Sequence, residues 1–253
     1  MDTSALREFL DFKASQYNDP SFIETDPIVI PHGFSVREDI ELSGLLVALI
    51  AWGNRKAIIQ SGHKLMTLMG NAPYDFIMSH TARDLDRVSG FVHRTFNGRD
   101  LSLFIRGLKK IYQQGGMEKI FAANNRKGNL REGIRVFREM IFREDHELRS
   151  EKHLPDIERG SAAKRINMFL RWMVRRDNKG VDFGLWKTIL PSVLSCPLDV
   201  HSGRVARKLG LLKRKQNDAV AVEELDAFLR SLDRQDPVKY DFALFGLGVF
   251  EKF

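Results

Sequence analysis

Cysteine is nearly absent from this chain. Cys196 is the single cysteine among 253 residues, which excludes an intrachain disulfide, a cysteine-rich zinc site and a four-thiolate iron-sulfur cluster. A lone thiol fits a reducing compartment, so we expect a cytoplasmic protein. Any function assigned to the chain must therefore operate without a cluster of cysteine ligands.

Long hydrophobic runs are also missing. The longest clearly apolar stretch, Leu45 to Trp52, is far shorter than the ~20 residues that a membrane-spanning helix needs. The first twelve residues intersperse Asp2, Arg7 and Glu8 with apolar side chains, which is unlike the basic start and apolar core of a signal peptide. The sequence therefore predicts a soluble protein with no membrane partner.

Strand-like alternation is scarce, whereas helical periodicity is found along most of the chain. Apolar side chains recur at helical spacing most clearly within residues 42–50, 101–111 and 134–141. One short β-like run, residues 28–30, lies between two prolines and is predicted to be an extended connector. Because 43% of the residues are hydrophobic, the chain can bury a sizeable core. The predicted fold class is all-α.

Positive charge is concentrated in one segment. The whole chain carries a formal net charge of +7, but residues 159–215 alone contain fourteen Lys or Arg against three Asp, a balance of +11. The remaining residues carry 26 basic and 30 acidic side chains. A basic surface of this kind is typical of proteins that bind nucleic-acid phosphates. The alternative is a solvated basic helix face, and charge alone does not decide between the two.

Lys164 lies within the basic segment and has apolar neighbours at helical spacing. The core-facing stripe of the helix predicted to start near it consists of Ile166, Phe169, Leu170, Met173 and Val174. Lys164 then lies on nearly the opposite side, where Met168 and Trp172 follow at i+4 and i+8. An amine beside a thioether and an indole is partly desolvated, which favours its uncharged, nucleophilic form. The alternative is an ordinary surface lysine.

Asp199 precedes another predicted helix, thirty-five residues after Lys164. Pro197 and Leu198 lead into this helix, and Gly210 stands just past its end, so Asp199 is predicted to be the N-cap. The cap and the helix dipole keep a carboxylate ionised. An ionised carboxylate also suits a group that deprotonates an amine and stabilises developing positive charge. The capping and catalytic interpretations are compatible.

The residues around both positions resemble the helix-hairpin-helix (HhH-GPD) DNA glycosylase superfamily. The segment from Leu198 to Gly210, with its Leu-Asp-Val-His start, Arg204 and Arg207, is similar to the superfamily's V-D-x-H-x-x-R-V-x-x-R-L-G pattern. Residues 45–54 resemble its first core helix, which ends at a polar residue. The segments 164–175 and 236–246 resemble the DUF2400 family of bacterial proteins, whose pattern covers nearly the whole chain.

Within the superfamily, the wide spacing between Lys164 and Asp199 resembles the spacing of the corresponding lysine and aspartate in the archaeal 8-oxoguanine DNA glycosylases. The residues Leu154-Pro155-Asp156-Ile157 share only the start of the L-P-G-V-G hairpin of the endonuclease III group, whose cluster cysteines are absent here. The resemblance implies one glycosylase-like unit over residues 1–253, with two helical lobes and an interlobe cleft. The approximate lobes are residues 42–158, and residues 1–41 plus 159–253.

The resemblance also implies roles for individual residues. Lys164 is the expected Schiff-base nucleophile and Asp199 its carboxylate partner. Asp241 and Phe245 match the spacing of an aspartate and an aromatic that recognise and stack a flipped-out base. The other members of the expected base pocket are Asn54, Met168, Trp52 and Trp172. The residues expected to contact nucleic acid are Arg165, His201, Arg204 and Lys208.

The function that these features predict is base-excision repair. A DNA glycosylase with AP-lyase activity would remove an oxidised purine such as 8-oxoguanine from double-stranded DNA. The implied mechanism needs no metal or cofactor, and we expect a monomer. Two alternatives stay open: a structure-specific DNA- or RNA-binding protein without chemistry, and a helical interaction module whose basic face meets acidic proteins. Salt-dependent binding to duplex DNA separates these two.

Overall fold

Helices make up nearly all of the regular structure. The structure, a computed structural model, describes residues 2–125 and 128–253. In these residues the only sheet is a hairpin of two short antiparallel strands, β1 (Val92–His93) and β2 (Phe96–Asn97). The predicted all-α fold class is therefore confirmed. None of the described helices combines the length and the apolar composition that a bilayer crossing demands.

The chain divides into two compact units. One, here called the C-terminal unit, contains Met1–Phe22, Asn125–Leu130 and Asp156–Phe253, and the other, the central unit, contains Ile23–Asn124 and Arg131–Pro155. Residues 23–41, which the resemblance assigned to the terminal lobe, belong to the central unit. The reason is packing, because the short helix Val29–His32 contacts the two helices that follow it in sequence.

The central unit contains eight helices in its described residues. They are α2 (Val29–His32), α3 (Arg37–Leu49), α4 (Arg55–Leu68), α5 (Pro73–Ser79), α6 (Ala82–Val88), α7 (Gly98–Gln113), α8 (Gly116–Ala123) and α9 (Arg131–Ile141). The three strongest periodic segments of the sequence correspond to α3, α7 and α9, and their predicted apolar positions are buried. A short 3-10 helix, Leu148–His153, completes the unit.

Two local predictions for the central unit are wrong. Residues 28–30 are not an extended connector, because α2 begins at Val29 and includes Pro31. A proline is compatible with the first turn of a helix, where its missing N–H would have no intrahelical partner. The helix expected over residues 45–54 ends at Leu49, and Asn54 instead caps α4. Gly53 adopts a positive φ of 102° between the two helices.

In its described residues the C-terminal unit contains five α-helices, besides the short 3-10 helices Pro191–Val193 and Pro237–Lys239. The five α-helices are α1 (Thr3–Tyr17), α10 (Lys164–Val174), α11 (Val200–Lys208), α12 (Ala219–Leu232) and α13 (Tyr240–Val249). Helix α13 packs against both α1 and α11. A Cβ atom at Gly246 would lie 2.0 Å from the Tyr17 ring, so a glycine there permits the close approach of α1 and α13.

Helix α10 is surrounded by protein along most of its length. Every residue from Ile166 to Val174 is buried, and only Lys164 and Arg165, in its first turn, are partly exposed. The predicted core stripe is confirmed, but the opposite face is buried as well. The first turn is therefore the part of α10 that reaches the surface of the C-terminal unit.

Candidate functional site

The backbone immediately before Lys164 is held in an unusual conformation. Ala163, the N-cap of α10, has a φ of 51° in the left-handed region, which costs a non-glycine residue of the order of 1 kcal/mol. The Ser161 hydroxyl accepts a hydrogen bond from the Ala163 nitrogen at 3.2 Å, and the Asn167 amide donates to the Ala162 carbonyl at 3.2 Å. These contacts fix the direction in which α10, and with it Lys164, begins.

The Lys164 amine lies between an apolar and an acidic neighbour. Its Nζ is 3.8 Å from the Met168 sulfur, one helical turn along α10, and 3.9 Å from Asp199 Oδ2. The structure thus brings together the lysine, the aspartate and the thioether that the sequence singled out. The lysine side chain is 30% exposed and that of Asp199 is 22% exposed. A ligand in solvent can therefore reach the pair.

The two carboxylate oxygens of Asp199 make different contacts. Oδ1 accepts hydrogen bonds from the backbone nitrogens of His201 at 2.8 Å and Ser202 at 2.9 Å, while the Ser202 hydroxyl accepts from the Asp199 nitrogen. This capping box confirms Asp199 as the N-cap of α11. Oδ2 faces the Lys164 amine. The cap therefore orients the carboxylate and leaves its second oxygen directed at the amine.

The separation of the pair matters for its chemistry. At 3.9 Å the two groups are at the outer limit of an ion pair, and partly exposed pairs of this kind are weak. At this distance the amine can pass a proton to the carboxylate through one bridging water, without being held in a tight salt bridge. The arrangement combines a nucleophile with an adjacent base.

Asp241 is buried in the interior of the C-terminal unit. It is buried in the first turn of α13, where Arg171 donates to Oδ2 and the Cys196 thiol lies 3.8 Å from Oδ1. Burial raises the pKa of Asp241 to about 6, Arg171 and Lys164 oppose this increase, and Asp199 adds to it.

The sequence analysis did not single out Arg171 and Arg175, which form a buried ionic network. Arg171 Nε lies 3.2 Å from Asp182, Arg175 Nη1 lies 3.1 Å from the same carboxylate, and Arg175 Nε lies 2.9 Å from Asp236. Positions i, i+7 and i+11 from Lys164 share one helix face, but this spacing does not indicate that the two arginines are buried. Both arginines are neutralised inside the protein, so the +11 segment overstates the exposed charge.

Two aromatic members of the predicted base pocket, Phe245 and Trp172, differ in how deeply they are buried. Phe245 is half-buried, and its ring meets Phe22 at 5.7 Å and Phe250 at 6.2 Å, both edge to face. Trp172 is fully buried. The expectation that Trp172 stands on an open face beside Lys164 is therefore wrong, because α10 is covered on that side too.

Trp52 and Asn54 belong to the central unit. Asn54 is exposed and caps α4 by accepting a hydrogen bond from the Ala57 nitrogen at 3.2 Å. The half-buried Trp52 ring stacks on His153 with centroids 6.0 Å apart, and it meets His93 edge-on at 5.4 Å. Their membership of a base pocket stays a prediction.

The expected nucleic-acid contacts comprise four cationic or titratable residues of the C-terminal unit. Arg165 is half-buried, and burial lowers its pKa to about 10. His201 is exposed, and Arg204 donates to the carbonyl of Gly248 at 2.9 Å. Lys208 is exposed with its amine 5.3 Å from the Phe253 ring centre. Contact with nucleic acid stays a prediction for all four.

These observations describe a helical protein that presents an amine and a carboxylate together at the open end of a buried helix. In the described part of the chain, no group of three or more His, Cys, Asp or Glu side chains is arranged to hold a metal ion. The chain belongs to the DUF2400 family, described as a protein of unknown function, whose model matches residues 26–250. No curated protein and no solved structure matches the chain.

Proposed function

We propose that this protein is a DNA glycosylase with AP-lyase activity in which Lys164 is the nucleophile. The observation that carries the proposal is the approach of Lys164 Nζ to within 3.9 Å of Asp199 Oδ2 at the open end of α10. The Met168 sulfur beside the amine supports it, because this apolar neighbour covers one side of the lysine head group and leaves its other side to Asp199 and a ligand.

The proposed chemistry uses only these side chains and the substrate. Asp199 takes a proton from the Lys164 ammonium, and the amine lone pair forms a bond to C1′ of the damaged nucleotide. The bond between C1′ and the base breaks, its electron pair leaves with the base, and the base takes up the proton that Asp199 holds. The sugar ring then opens as the C1′–O4′ bond breaks, O4′ takes a proton from the lysine nitrogen, and a protonated imine is left at C1′. The Asp199 carboxylate takes a C2′ proton, and the C3′–O bond breaks so that the 3′ phosphate leaves with its electron pair by β-elimination.

The substrate is proposed to be double-stranded DNA carrying an oxidised purine such as 8-oxoguanine. Eight basic side chains of the +11 segment are exposed: Arg159, Arg176, Lys179, Lys187, Arg204, Lys208, Lys213 and Lys215. They supply positive charge for phosphate contacts even though Arg171 and Arg175 are buried. The choice of an oxidised purine rests on the resemblance to archaeal 8-oxoguanine glycosylases.

The test is covalent trapping with the full-length protein. It is incubated with duplexes that contain 8-oxoguanine, an abasic site or no lesion, and the imine is reduced with borohydride. We expect an adduct on the abasic and 8-oxoguanine duplexes, lost in Lys164→Gln and retained in Lys187→Gln. Lys187 is an exposed lysine of the same basic segment and serves as the matched control.

Two results would contradict the proposal. One is the absence of an adduct from every duplex, and the other is equal trapping by Lys164→Gln and the parent protein. Salt-dependent binding to duplex DNA without any adduct would instead favour the alternative, a structure-specific nucleic-acid-binding protein.

A further inference from the structure

The loop between α11 and α12 lies against the end of α11 that begins at Asp199. This loop, residues 211–217, is here called the basic loop. It carries three consecutive cations, Lys213, Arg214 and Lys215. The side-chain amide of its last residue, Asn217, donates a hydrogen bond to the Asp199 carbonyl at 2.8 Å. The basic loop therefore contacts the backbone of a residue whose carboxylate belongs to the proposed site.

Arg207, on α11, holds the basic loop through three oxygen atoms. Its Nε donates to the Arg214 carbonyl at 2.7 Å, and its Nη2 donates to the Gln216 carbonyl at 3.2 Å. Nη2 also donates to Asn217 Oδ1 at 2.6 Å. Asn217 thus accepts from one residue of α11 and donates to another, so it fastens the loop to this helix at two points.

The other side of the basic loop is held by α12. The Glu224 carboxylate accepts from the backbone nitrogens of Lys213 at 2.6 Å and Arg214 at 3.3 Å. The Arg214 side chain pairs with Asp218, the N-cap of α12, through an Nε to Oδ1 distance of 2.7 Å. The loop is therefore anchored on both sides, and a loop that is already ordered loses little conformational freedom when it binds a ligand.

The chain at the end of the loop contacts the backbone beside both members of the Lys164–Asp199 pair. Two residues after Asn217, the Ala219 nitrogen donates to the Gly160 carbonyl at 2.9 Å, and Gly160 lies four residues before Lys164. Asn217 itself is bonded to the Asp199 carbonyl. Hydrogen bonds therefore connect the position of the basic loop to the backbone of the proposed site.

Lys213 and Lys215 are the cations of this loop that a ligand can reach. Both are exposed, and in the part of the chain that the structure describes neither ammonium has a hydrogen-bond or ion-pair partner. Arg214, between them, is paired with Asp218. Two free ammonium groups on an anchored loop suit the phosphate oxygens of a nucleic-acid backbone, which are contacted mainly by such side chains.

We infer that the basic loop binds backbone phosphates of duplex DNA through Lys213 and Lys215, and that Asn217 is the positioning residue that holds the loop beside Asp199. The catalytic meaning of this inference rests on the proposed function, because the loop then sets where the substrate strand lies relative to Lys164. The phosphate contact itself is measured on undamaged DNA.

The first experiment measures binding of the full-length protein to an undamaged duplex by fluorescence anisotropy at several salt concentrations. Lys213→Ala/Lys215→Ala should reduce the slope of log affinity against log salt by about 2, because two phosphate contacts are lost. Asn217→Ala removes no charge. It should weaken binding about 3-fold at one salt concentration, because a released loop has to be ordered again when DNA binds.

The combined variant shows how Asn217 acts. If Asn217 holds the two lysines at the phosphates, Asn217→Ala should have no further effect on affinity in Lys213→Ala/Lys215→Ala. The matched control is Gln216→Ala. Gln216 is exposed in the same loop, and its carbonyl is the group that Arg207 contacts, so its truncation should change neither the affinity nor the slope.

Three binding results would overturn the inference. They are an unchanged salt slope in Lys213→Ala/Lys215→Ala, an equal effect of Asn217→Ala with and without the two lysines, and no effect of Asn217→Ala on the parent. A parent protein that does not bind the duplex would contradict both the inference and the proposed function.

The second experiment measures the rate of borohydride-trapped adduct formation on an abasic duplex at saturating protein. Asn217→Ala is expected to be about 10-fold slower than the parent, because the bound strand is displaced from the Lys164 amine. Gln216→Ala should match the parent. Equal rates in Asn217→Ala and the parent would contradict the positioning role. If the parent binds DNA but forms no adduct, the proposed function fails, whereas the binding measurements still decide the inference.

Discussion

Asp100 in the central unit and Asp199 in the C-terminal unit each complete the first turn of a helix through a capping box. Asp100 is fully buried and accepts hydrogen bonds from the Asn97 nitrogen at 2.9 Å and the Ser150 hydroxyl at 2.5 Å. Arg149 approaches the same carboxylate at 3.2 Å. Asp199 has one oxygen in its cap and the other turned to a partly exposed amine.

The difference separates a carboxylate whose oxygens are both occupied from one that keeps an oxygen directed at a partly exposed amine. Burial alone would raise the pKa of Asp100, yet hydrogen bonds from His153, Ser150 and the Asn97 backbone hold it well below its ordinary value. Such a group is stabilised as an anion by contacts that leave no room for a substrate. Asp199 also belongs to a capping box, as its N-cap, but keeps one oxygen available, which is the property that the proposed catalysis requires.

The largest expected effect, on the free energy of unfolding, comes from a substitution at Asp100, whose buried carboxylate is here called the closed site. Asp100→Asn removes the charge that buried His153 and Arg149 face, and we expect a loss of about 3 to 5 kcal/mol in the free energy of unfolding. Lys164→Gln, at the open site, should change this free energy by less than about 1 kcal/mol. Urea unfolding followed by circular dichroism measures both. Similar losses in the two variants would remove the distinction between the sites.

The effect of Asp100 also has a defined pH window. Because its folded pKa is depressed, its stabilisation is present above the unfolded value of about 3.9 and is lost as pH falls towards the folded value. The difference between the parent and Asp100→Asn should therefore narrow below about pH 4. A difference that widens on acidification would have the wrong sign for this explanation.

A second prediction separates the two tasks of Asp199. Asn is as good an N-cap as Asp, so Asp199→Asn should keep α11 capped while losing the negative charge beside Lys164. We expect about 100-fold slower adduct formation with nearly unchanged stability. Asp199→Ala should lose both the cap of α11 and the negative charge beside Lys164, and the lost cap should lower the free energy of unfolding by about 1 kcal/mol. The measurements are trapping rates and urea unfolding.

If Asp199→Asn trapped DNA as fast as the parent protein, the carboxylate would be a cap only. The Ser202→Ala variant serves as the control for capping, because the Ser202 hydroxyl accepts from the Asp199 nitrogen without facing the amine. It should affect the stability of α11 more than the rate of trapping.

Sequence reasoning succeeded where local chemistry determines the outcome. Asp199 is an N-cap because a short polar acceptor follows Pro197 and Leu198 and precedes a periodic segment. Met168 lies beside Lys164 because four residues make one helical turn. The proximity of Lys164 and Asp199 was expected from the family resemblance alone, since helical periodicity does not determine how two helices pack.

The failures have a common physical origin in tertiary burial. The sequence gives Arg171 and Arg175 the pattern of surface cations. Nothing in the neighbouring residues predicts their ion pairs with Asp182, Asp236 and Asp241. Trp172 was placed on an open face for the same reason. Periodicity identifies the face of a helix that is apolar, but long-range charge pairing can bury the opposite face too.

A third prediction concerns Asp226, a buried carboxylate whose pKa is raised, whereas that of Asp100 is lowered. Burial raises the pKa of Asp226 to about 6, so the folded state keeps a proton that the unfolded chain releases above about pH 4. Stability should fall as pH rises from about 4 to 6 and level off above 6. Asp226→Asn should lack this decrease, so the parent should lose about 2 kcal/mol relative to it between pH 4 and 7.

Urea unfolding at both pH values tests this sign. Glu8→Gln, at an exposed acidic position of α1, is the control and should follow the parent protein. A parent that gained stability relative to Asp226→Asn on going to pH 7 would show that Asp226 behaves like Asp100.

The smallest effect is expected on the exposed basic surface. Lys208 is exposed at the end of α11, in the unit that carries the proposed site, whereas Lys64 is exposed on α4 of the central unit. Lys208→Ala should weaken binding to undamaged duplex DNA a few-fold and reduce the slope of log affinity against log salt by about 1, because one phosphate contact is lost. Lys64→Ala should change neither quantity. Fluorescence anisotropy between about 50 and 200 mM salt measures both, and equal effects of the two substitutions would mean that DNA affinity is not concentrated in the C-terminal unit.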